Sequence, residues 1–191
     1  MNICVYGASS NKLDQSYISA VEEFGLQIAK RGHHLVFGGG AQGLMGATAR
    51  GVHKGGGNIV GVAPSFFDVD GILYQDCTEF IYTETMRERK QIMEDRADAF
   101  VMVPGGIGTF EEFFEILTLK QLGRHQKAIA CFNVNGFFDT MIAMLEEAIE
   151  GHFMAPACRE LYRFFEKPEE ILDYLERYEY TALSVDQAKH I

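Results

Sequence analysis

The side chains best equipped for chemistry gather in two short stretches. In Met86-Arg87-Glu88-Arg89-Lys90-Gln91-Ile92-Met93, positions 86, 89, 90 and 93 recur at i, i+3, i+4 and i+7 and share one helix face. Met86 and Met93 mark that face as inward, which turns Arg89 and Lys90 toward protein and leaves Arg87 and Glu88 on a solvated face. A cation on an inward stripe needs an anion, because an unpaired buried charge costs several kcal/mol. An internal salt bridge with a snorkelling stem meets that need, and so does an anionic ligand.

The second stretch is Thr109-Phe110-Glu111-Glu112. Thr109 followed three residues later by Glu112 matches a capping box, so Glu112 has a structural reading, closing the start of its own helix. It has a catalytic reading with equal standing, and the two roles can coexist. Hydrolysis at an anomeric carbon passes through an oxocarbenium-like state. That state needs a carboxylate to stabilise positive charge or position water, and a donor to help the base depart. Glu112 suits the first task. Arg89 suits the second as a hydrogen-bond or electrostatic partner, although it is a poor proton donor.

Around these residues stand three glycine-rich turns: Gly7-Ala8-Ser9-Ser10-Asn11, Gly38-Gly39-Gly40-Ala41-Gln42-Gly43 and Pro104-Gly105-Gly106-Ile107-Gly108-Thr109. Each follows a short apolar run and precedes a helical pattern. Glycine lets backbone amides approach an anion with no Cβ in the way, and a helix N-terminus adds unpaired N–H groups and a favourable dipole. Together the three favour a phosphate cradle over ordinary βα turns. Gly38, Gly40 and Gly43 also match G-x-G-x-x-G, but the next strand ends in Gly61-Val62-Ala63-Pro64 with no carboxylate for a ribose hydroxyl. Dinucleotide binding is demoted accordingly.

The elements that must position these residues alternate. Periodicity predicts strands over 2–6, 34–37, 58–62, 79–82, 99–103 and 128–132, with a short one near 162–165. It predicts helices over 17–31, 43–54, 84–97, 109–122, 137–150 and 168–178. Residues 65–78 read as a loop with a short helical turn, and the last dozen have weak periodicity. Apolar strands alternating with helices imply an α/β fold: a Rossmann-like, doubly wound domain with a mostly parallel sheet and helices on both faces. Without repeats or a linker, 1–191 reads as a single domain. In a parallel sheet the three glycine turns share the carboxyl edge, where such folds bind ligands.

Composition narrows the partners. Hydrophobic residues make up 47% and charged residues 23%, with a formal net charge of −10. No basic excess is present to displace counterions from nucleic acid, so nucleic-acid partners are excluded. The four cysteines, Cys4, Cys77, Cys131 and Cys158, form no CxxC pair and read as reduced, Cys4 and Cys131 as core thiols. The six histidines show no metal spacing, and no Ser-His-Asp triad is evident. The N-terminus reads as a strand rather than a signal peptide, and no apolar run approaches the roughly 20 residues a membrane span requires. The cytoplasm is the expected location, with neither metal nor cofactor.

The stretches Phe37-Gly38-Gly39-Gly40-Ala41-Gln42-Gly43-Leu44-Met45-Gly46, Met86-Arg87-Glu88-Arg89-Lys90 and Pro104-Gly105-Gly106-Ile107-Gly108-Thr109-Phe110-Glu111-Glu112 resemble the LONELY GUY family. Its members are cytokinin riboside 5′-monophosphate phosphoribohydrolases, long mislabelled as lysine decarboxylases. The family's hallmark pair, an Arg-Lys step on a helix and PGGxGTxxE, is present in full, and the likeness runs from Asn2 to about Tyr178. The resemblance implies hydrolysis of the N-glycosidic bond of a purine nucleoside 5′-monophosphate, adenosine or N6-modified adenosine. It implies Arg89 and Glu112 as the catalytic pair, with Lys90 and Met86 beside them as substrate-binding residues. Gly105, Gly106, Ile107, Gly108 and Thr109 would hold the 5′-phosphate, with Ser9, Gly39, Gly40 and Thr118 lining the pocket. A homodimer with its active site near the interface is also implied. One departure stands out: the substrate-contacting Glu that plant members carry in the loop after G-V-x-P falls here at Gly71, next to Asp70.

Two other readings compete. A non-catalytic nucleotide-binding or carrier module would keep the glycine turns, but retention of both Arg89 and Glu112 argues against it. Pyridoxal-phosphate chemistry wants a Schiff-base lysine with an acidic partner for the pyridinium nitrogen, and Lys90 is the one inward candidate.

Overall fold

The computed structural model describes residues 1–69 and 71–180. Along them run β1 (Asn2–Tyr6), α1 (Gln15–Lys30), β2 (His34–Phe37), α2 (Gly43–Lys54), β3 (Ile59–Pro64), β4 (Glu79–Thr83), α3 (Met86–Arg96), β5 (Ala99–Met102), α4 (Ile107–Gln121), β6 (Ala128–Phe132), α5 (Asp139–Glu150), β7 (Arg163–Phe165) and α6 (Pro168–Glu176). The strands form one sheet in the order β4-β3-β2-β1-β5-β6-β7, and each pairing between neighbours is parallel. The α/β architecture expected from the alternation is therefore present, with a Rossmann-like sheet.

Alternation along the strands assigns the two faces. Ile3 and Val5 of β1 join Leu35, Phe37 and Val101 in a core closed by α1, α2 and α6 through Phe24, Leu44 and Ile171. Cys4 and Tyr6, one residue out of phase, join Val36, Phe100 and Met102 under α3, α4 and α5 through Met93, Phe113 and Leu145. Period two in the strands thus produces both apolar layers.

Helix starts differ from the periodicity where polar residues open the first turn. α1 begins at Gln15, capped by Asp14, whose carboxylate accepts from the Ser16 amide at 2.9 Å. A pattern read from apolar positions starts two residues late there. The capping box in this chain belongs to α3. Thr85 Oγ1 accepts from the Glu88 amide at 3.2 Å while the Glu88 carboxylate accepts from the Thr85 amide at 3.2 Å. Glu88, expected only on a solvated face, closes a helix. The box expected at Thr109 and Glu112 does not form, because α4 starts two residues earlier at Ile107 with Gly106 as its N-cap.

From β1 the chain steps outward to β4 and then returns to lay β5 against the other side of β1. The β1/β5 crevice is the topological switch point. The glycine turns follow β2, β1 and β5, three adjacent strands, and so meet on one edge. Residues 65–78 open with a short 3-10 turn (Ser65–Phe67) and are pinned over the β2 turn. There the Ala41 amide donates to Ile72 O and the Tyr74 amide to Gly39 O, each at 2.8 Å. Asp70 and the last eleven residues, including most of the weakly periodic C-terminal dozen, lie outside the described residues. No described helix is long and apolar enough to cross a membrane.

Cys4 and Cys131 have no exposed surface, and burial pushes the Cys4 thiol up to about 12. In native protein they should resist a bulky disulfide reagent while the half-buried Cys77 reacts, and all four should react after unfolding. Labelling followed by peptide mass mapping checks this, and rapid native labelling of Cys4 or Cys131 would contradict the two-layer burial.

Candidate active site

A cleft of about 460 Å³ opens at the switch point, bounded by the β1 and β5 turns, Gly38, α3 and the start of α4. Its lining combines polar Ser9, Arg89, Thr109 and Glu112 with apolar Met45, Phe67, Leu73 and Met86. At its floor Arg89 Nη1 donates to Glu112 Oε1 at 2.8 Å, joining α3 to α4. The side chains are only 8% and 11% exposed, so the pair is shielded from water.

Arg89 is fixed from three sides. Its Nε donates to the Val62 carbonyl on β3 at 3.2 Å, Nη1 holds Glu112, and Nη2 lies directly against the Cα of Gly38. Any Cβ at Gly38 would overlap the guanidinium, so glycine is required there by close approach. Burial pushes the Glu112 carboxyl above its usual range, opposed chiefly by the charge and hydrogen bond of Arg89. The cost of desolvation exceeds the gain from the pair, as is common for buried ion pairs.

The three glycine turns divide their tasks. At the start of α2, the amides of Leu44 and Met45 both donate to Ala8 O, at 2.8 and 3.3 Å, and the Gly43 amide faces Asn11 Oδ1 at 3.4 Å. Gly43 adopts φ +59, and a Cβ there would strike the Ala8 carbonyl. The N-terminus of α2 is therefore satisfied by protein. The start of α4 is not. Its Gly106 cap offers no side chain, its first helical bond runs from the Phe110 amide to Gly106 O, and Gly106 and Gly108 face open space. Among the described residues, the amides of Ile107, Gly108 and Thr109 have no partner, in the manner of an anion-binding helix N-terminus. The β1 turn buttresses this loop through the Ala8 amide, which donates to Pro104 O at 3.0 Å.

Of the residues expected at the site, Ser9, Met86, Arg89, Gly106, Ile107, Gly108, Thr109 and Glu112 line the cleft. Gly105 sits behind it, with the Thr109 side chain packed on its Cα, and borders a neighbouring apolar cavity of about 300 Å³. Gly39 and Gly40 lie away from the cleft: Gly39 packs on Phe80, and Gly40 bridges to Leu73. Thr118 is exposed further along α4. Lys90 reaches Glu111 and Glu115 on α4 rather than the cleft. Sequence reasoning missed Gly38, because three successive glycines carry no signal as to which one meets an arginine. It also missed Phe67 and Leu73, whose loop has no period. Among the described residues, no three of His, Cys, Asp and Glu stand together as a metal group would require.

Fold and cleft together define a doubly wound α/β protein with an open helix start and a buried Arg–Glu pair at its switch point. A family model described as "Possible lysine decarboxylase" matches residues 45–175. The chain is 36% identical over 176 residues to cytokinin riboside 5′-monophosphate phosphoribohydrolase LOG2 of Arabidopsis thaliana, covering 92% of this chain and 83% of that one. It is 35% identical to LOG7 of the same plant, covering 93% and 82%. Among solved structures, the molybdenum cofactor carrier protein of Chlamydomonas reinhardtii has the same fold, with a TM-score of 0.70 at 20% identity, covering 92% and 96%. The chain belongs to the LONELY GUY family.

Gly38→Ala should displace the Arg89 guanidinium while leaving the backbone unstrained. The Tm should fall, because a displaced guanidinium leaves the buried pair poorly compensated. A Gly38→Ala protein with the wild-type Tm would contradict the three-sided fixation of Arg89.

Proposed function

We propose that this chain hydrolyses the N-glycosidic bond of a purine nucleoside 5′-monophosphate, adenosine or N6-modified adenosine, giving free base and ribose 5-phosphate. The observation that carries this reading is the juxtaposition of unpartnered α4 amides with the buried Arg89–Glu112 pair, five residues from Ile107 to Glu112 along one helix. A 5′-phosphate on the amides of Ile107, Gly108 and Thr109 would set the sugar over Glu112, about 1.5 Å of helix rise per residue further on. The phosphoribohydrolase names of the relatives support the same chemistry.

In the proposed step the bond from C1′ to the base nitrogen breaks with its electrons going to the base. The Glu112 carboxylate stabilises the positive charge at C1′ and orients water, whose oxygen bonds to C1′. One water proton leaves through Glu112 or solvent, and the departing base takes up a proton. Arg89 keeps Glu112 oriented and offers a charged hydrogen bond to the leaving group. The apolar side chains of the cleft lining, Met45, Phe67, Leu73 and Met86, suit the face of a purine. No cofactor enters this scheme. The protein is proposed to act in the cytoplasm as a homodimer. The exposed apolar residues Phe66, Val69, Ile72, Tyr82 and Ile107, the last 90% exposed, support a covered face near the cleft.

Purified protein incubated with AMP, N6-isopentenyl AMP, GMP and CMP should release base from the adenine nucleotides. Adenosine, lacking the phosphate, should lose kcat as well as affinity, because remote binding energy positions the sugar. Equal kcat/KM for AMP and adenosine would remove the phosphate from the scheme, and binding without release would make the chain a carrier module. Because only the ionised carboxyl supports the step, kcat/KM should fall as pH drops through a value above the ordinary 4.5 of glutamate. Glu112→Gln should cost roughly 10²-fold or more in kcat while remaining folded.

A further inference from the structure

Helices α3 and α4 meet through two sets of charged side chains. The first is the Arg89–Glu112 pair. In the second, Lys90 Nζ lies between two carboxylates of α4, bonded to Glu111 and 2.7 Å from Glu115 Oε2. The Lys90 side chain is 19% exposed, against 52% for Glu111 and 42% for Glu115. A lone surface ion pair contributes little, but this ammonium is largely enclosed and bridges two partners on a neighbouring helix.

Glu111, Glu112 and Glu115 put three carboxylates within about one turn of α4. Of the two neighbours, Glu111 opposes ionisation of the buried Glu112. The groups that face it are Arg89 and Lys90 from α3, Glu111 on its own helix, and Cys4 and Tyr6 from β1 beneath. Burial keeps the Cys4 thiol and the Tyr6 phenol neutral. Glu111 pushes the Glu112 carboxyl up, while Arg89 and Lys90 pull it down. With Lys90 removed, Glu111 and Glu115 would stand uncompensated beside a carboxylate that is already desolvated.

We propose that Lys90 is a positioning residue: by bridging Glu111 and Glu115 it clamps α4 to α3 and cancels the negative charge around Glu112, leaving the Arg89–Glu112 pair to face the substrate. This role rests on the hydrolase reading above, and it gives the Arg-Lys step on α3 a physical reason. The two consecutive cations serve two separate sets of acids on α4, one set lining the cleft and the other at the helix surface.

The test uses the full chain as wild type, K90M, K90R and K90M/E111Q/E115Q, each checked by thermal unfolding. In K90M the acid limb of kcat/KM should move upward by roughly one pH unit. Activity on the acid side should then be about tenfold lower, recovering at higher pH with KM unchanged. K90R keeps the charge and the triple variant removes the need for it, so both should retain the wild-type limb. The side-chain carbon of Glu112, followed by NMR titration, should shift by the same amount in K90M. That readout needs no turnover, so an inactive wild type would defeat the hydrolase reading and leave the Lys90 proposal measurable. A K90M that raises KM with its limb in place would make Lys90 a substrate contact. A loss uniform across pH, or a triple variant that fails to restore the limb, would reduce it to a strut; any of these overturns the proposal.

Discussion

A buried ion pair between helices that come from different crossovers sets the terms for the rest of this molecule. Arg89 and Glu112 are both nearly enclosed, and taking two charges out of water is repaid only when geometry is good and the remaining polar atoms are satisfied. The structure meets those conditions with backbone rather than with more side chains. Val62 O on β3 takes the Nε proton, and the bare Cα of Gly38 on the β2 turn lets the guanidinium lie flat. Strands β2 and β3, helix α3 and helix α4 therefore converge on one side chain, and the switch-point topology is what makes that convergence possible.

The glycine turns illustrate how similar sequences serve different ends. At α2 the amides of Leu44 and Met45 go to Ala8 O, which ties the β1 turn to the β2 turn. At α4 they stay open, and the one cap available is a glycine with no side chain to compete for them. In a chain with a net charge of −10, these oriented amides form a local patch of positive potential, because a helix dipole acts at contact range whatever the distant charges do.

Electrostatic balance within α4 follows the same economy. The helix whose first amides stay open also carries Glu111, Glu112 and Glu115, and the neighbouring helix answers with two consecutive cations. Burial raises the affinity of Glu112 for a proton, and the cations lower it again. The position of Glu112 is thus one where burial and neighbouring charges act in opposite directions on a single carboxyl.

Much of this was legible in the sequence, for reasons local to the chain. β1, β2, α2 and β6 were readable to the residue because apolar period and glycine punctuation coincide at their ends. Arg89 was placed inward by the spacing of Met86 and Met93, and the PGGxGTxxE run marked both the open helix start and Glu112. Sequence alone could not tell a capping carboxylate from one that turns into the cleft. Thr109-x-x-Glu112 and Thr85-x-x-Glu88 are the same pattern, and only the position of each helix start separates them. Nor could it say which of three adjacent glycines meets Arg89, that α2 spends its amides on Ala8, or that Lys90 turns from the cleft toward Glu111 and Glu115. Those outcomes depend on contacts between segments tens of residues apart, and local periodicity carries no information about which distant group will occupy a given donor, acceptor or empty Cβ position.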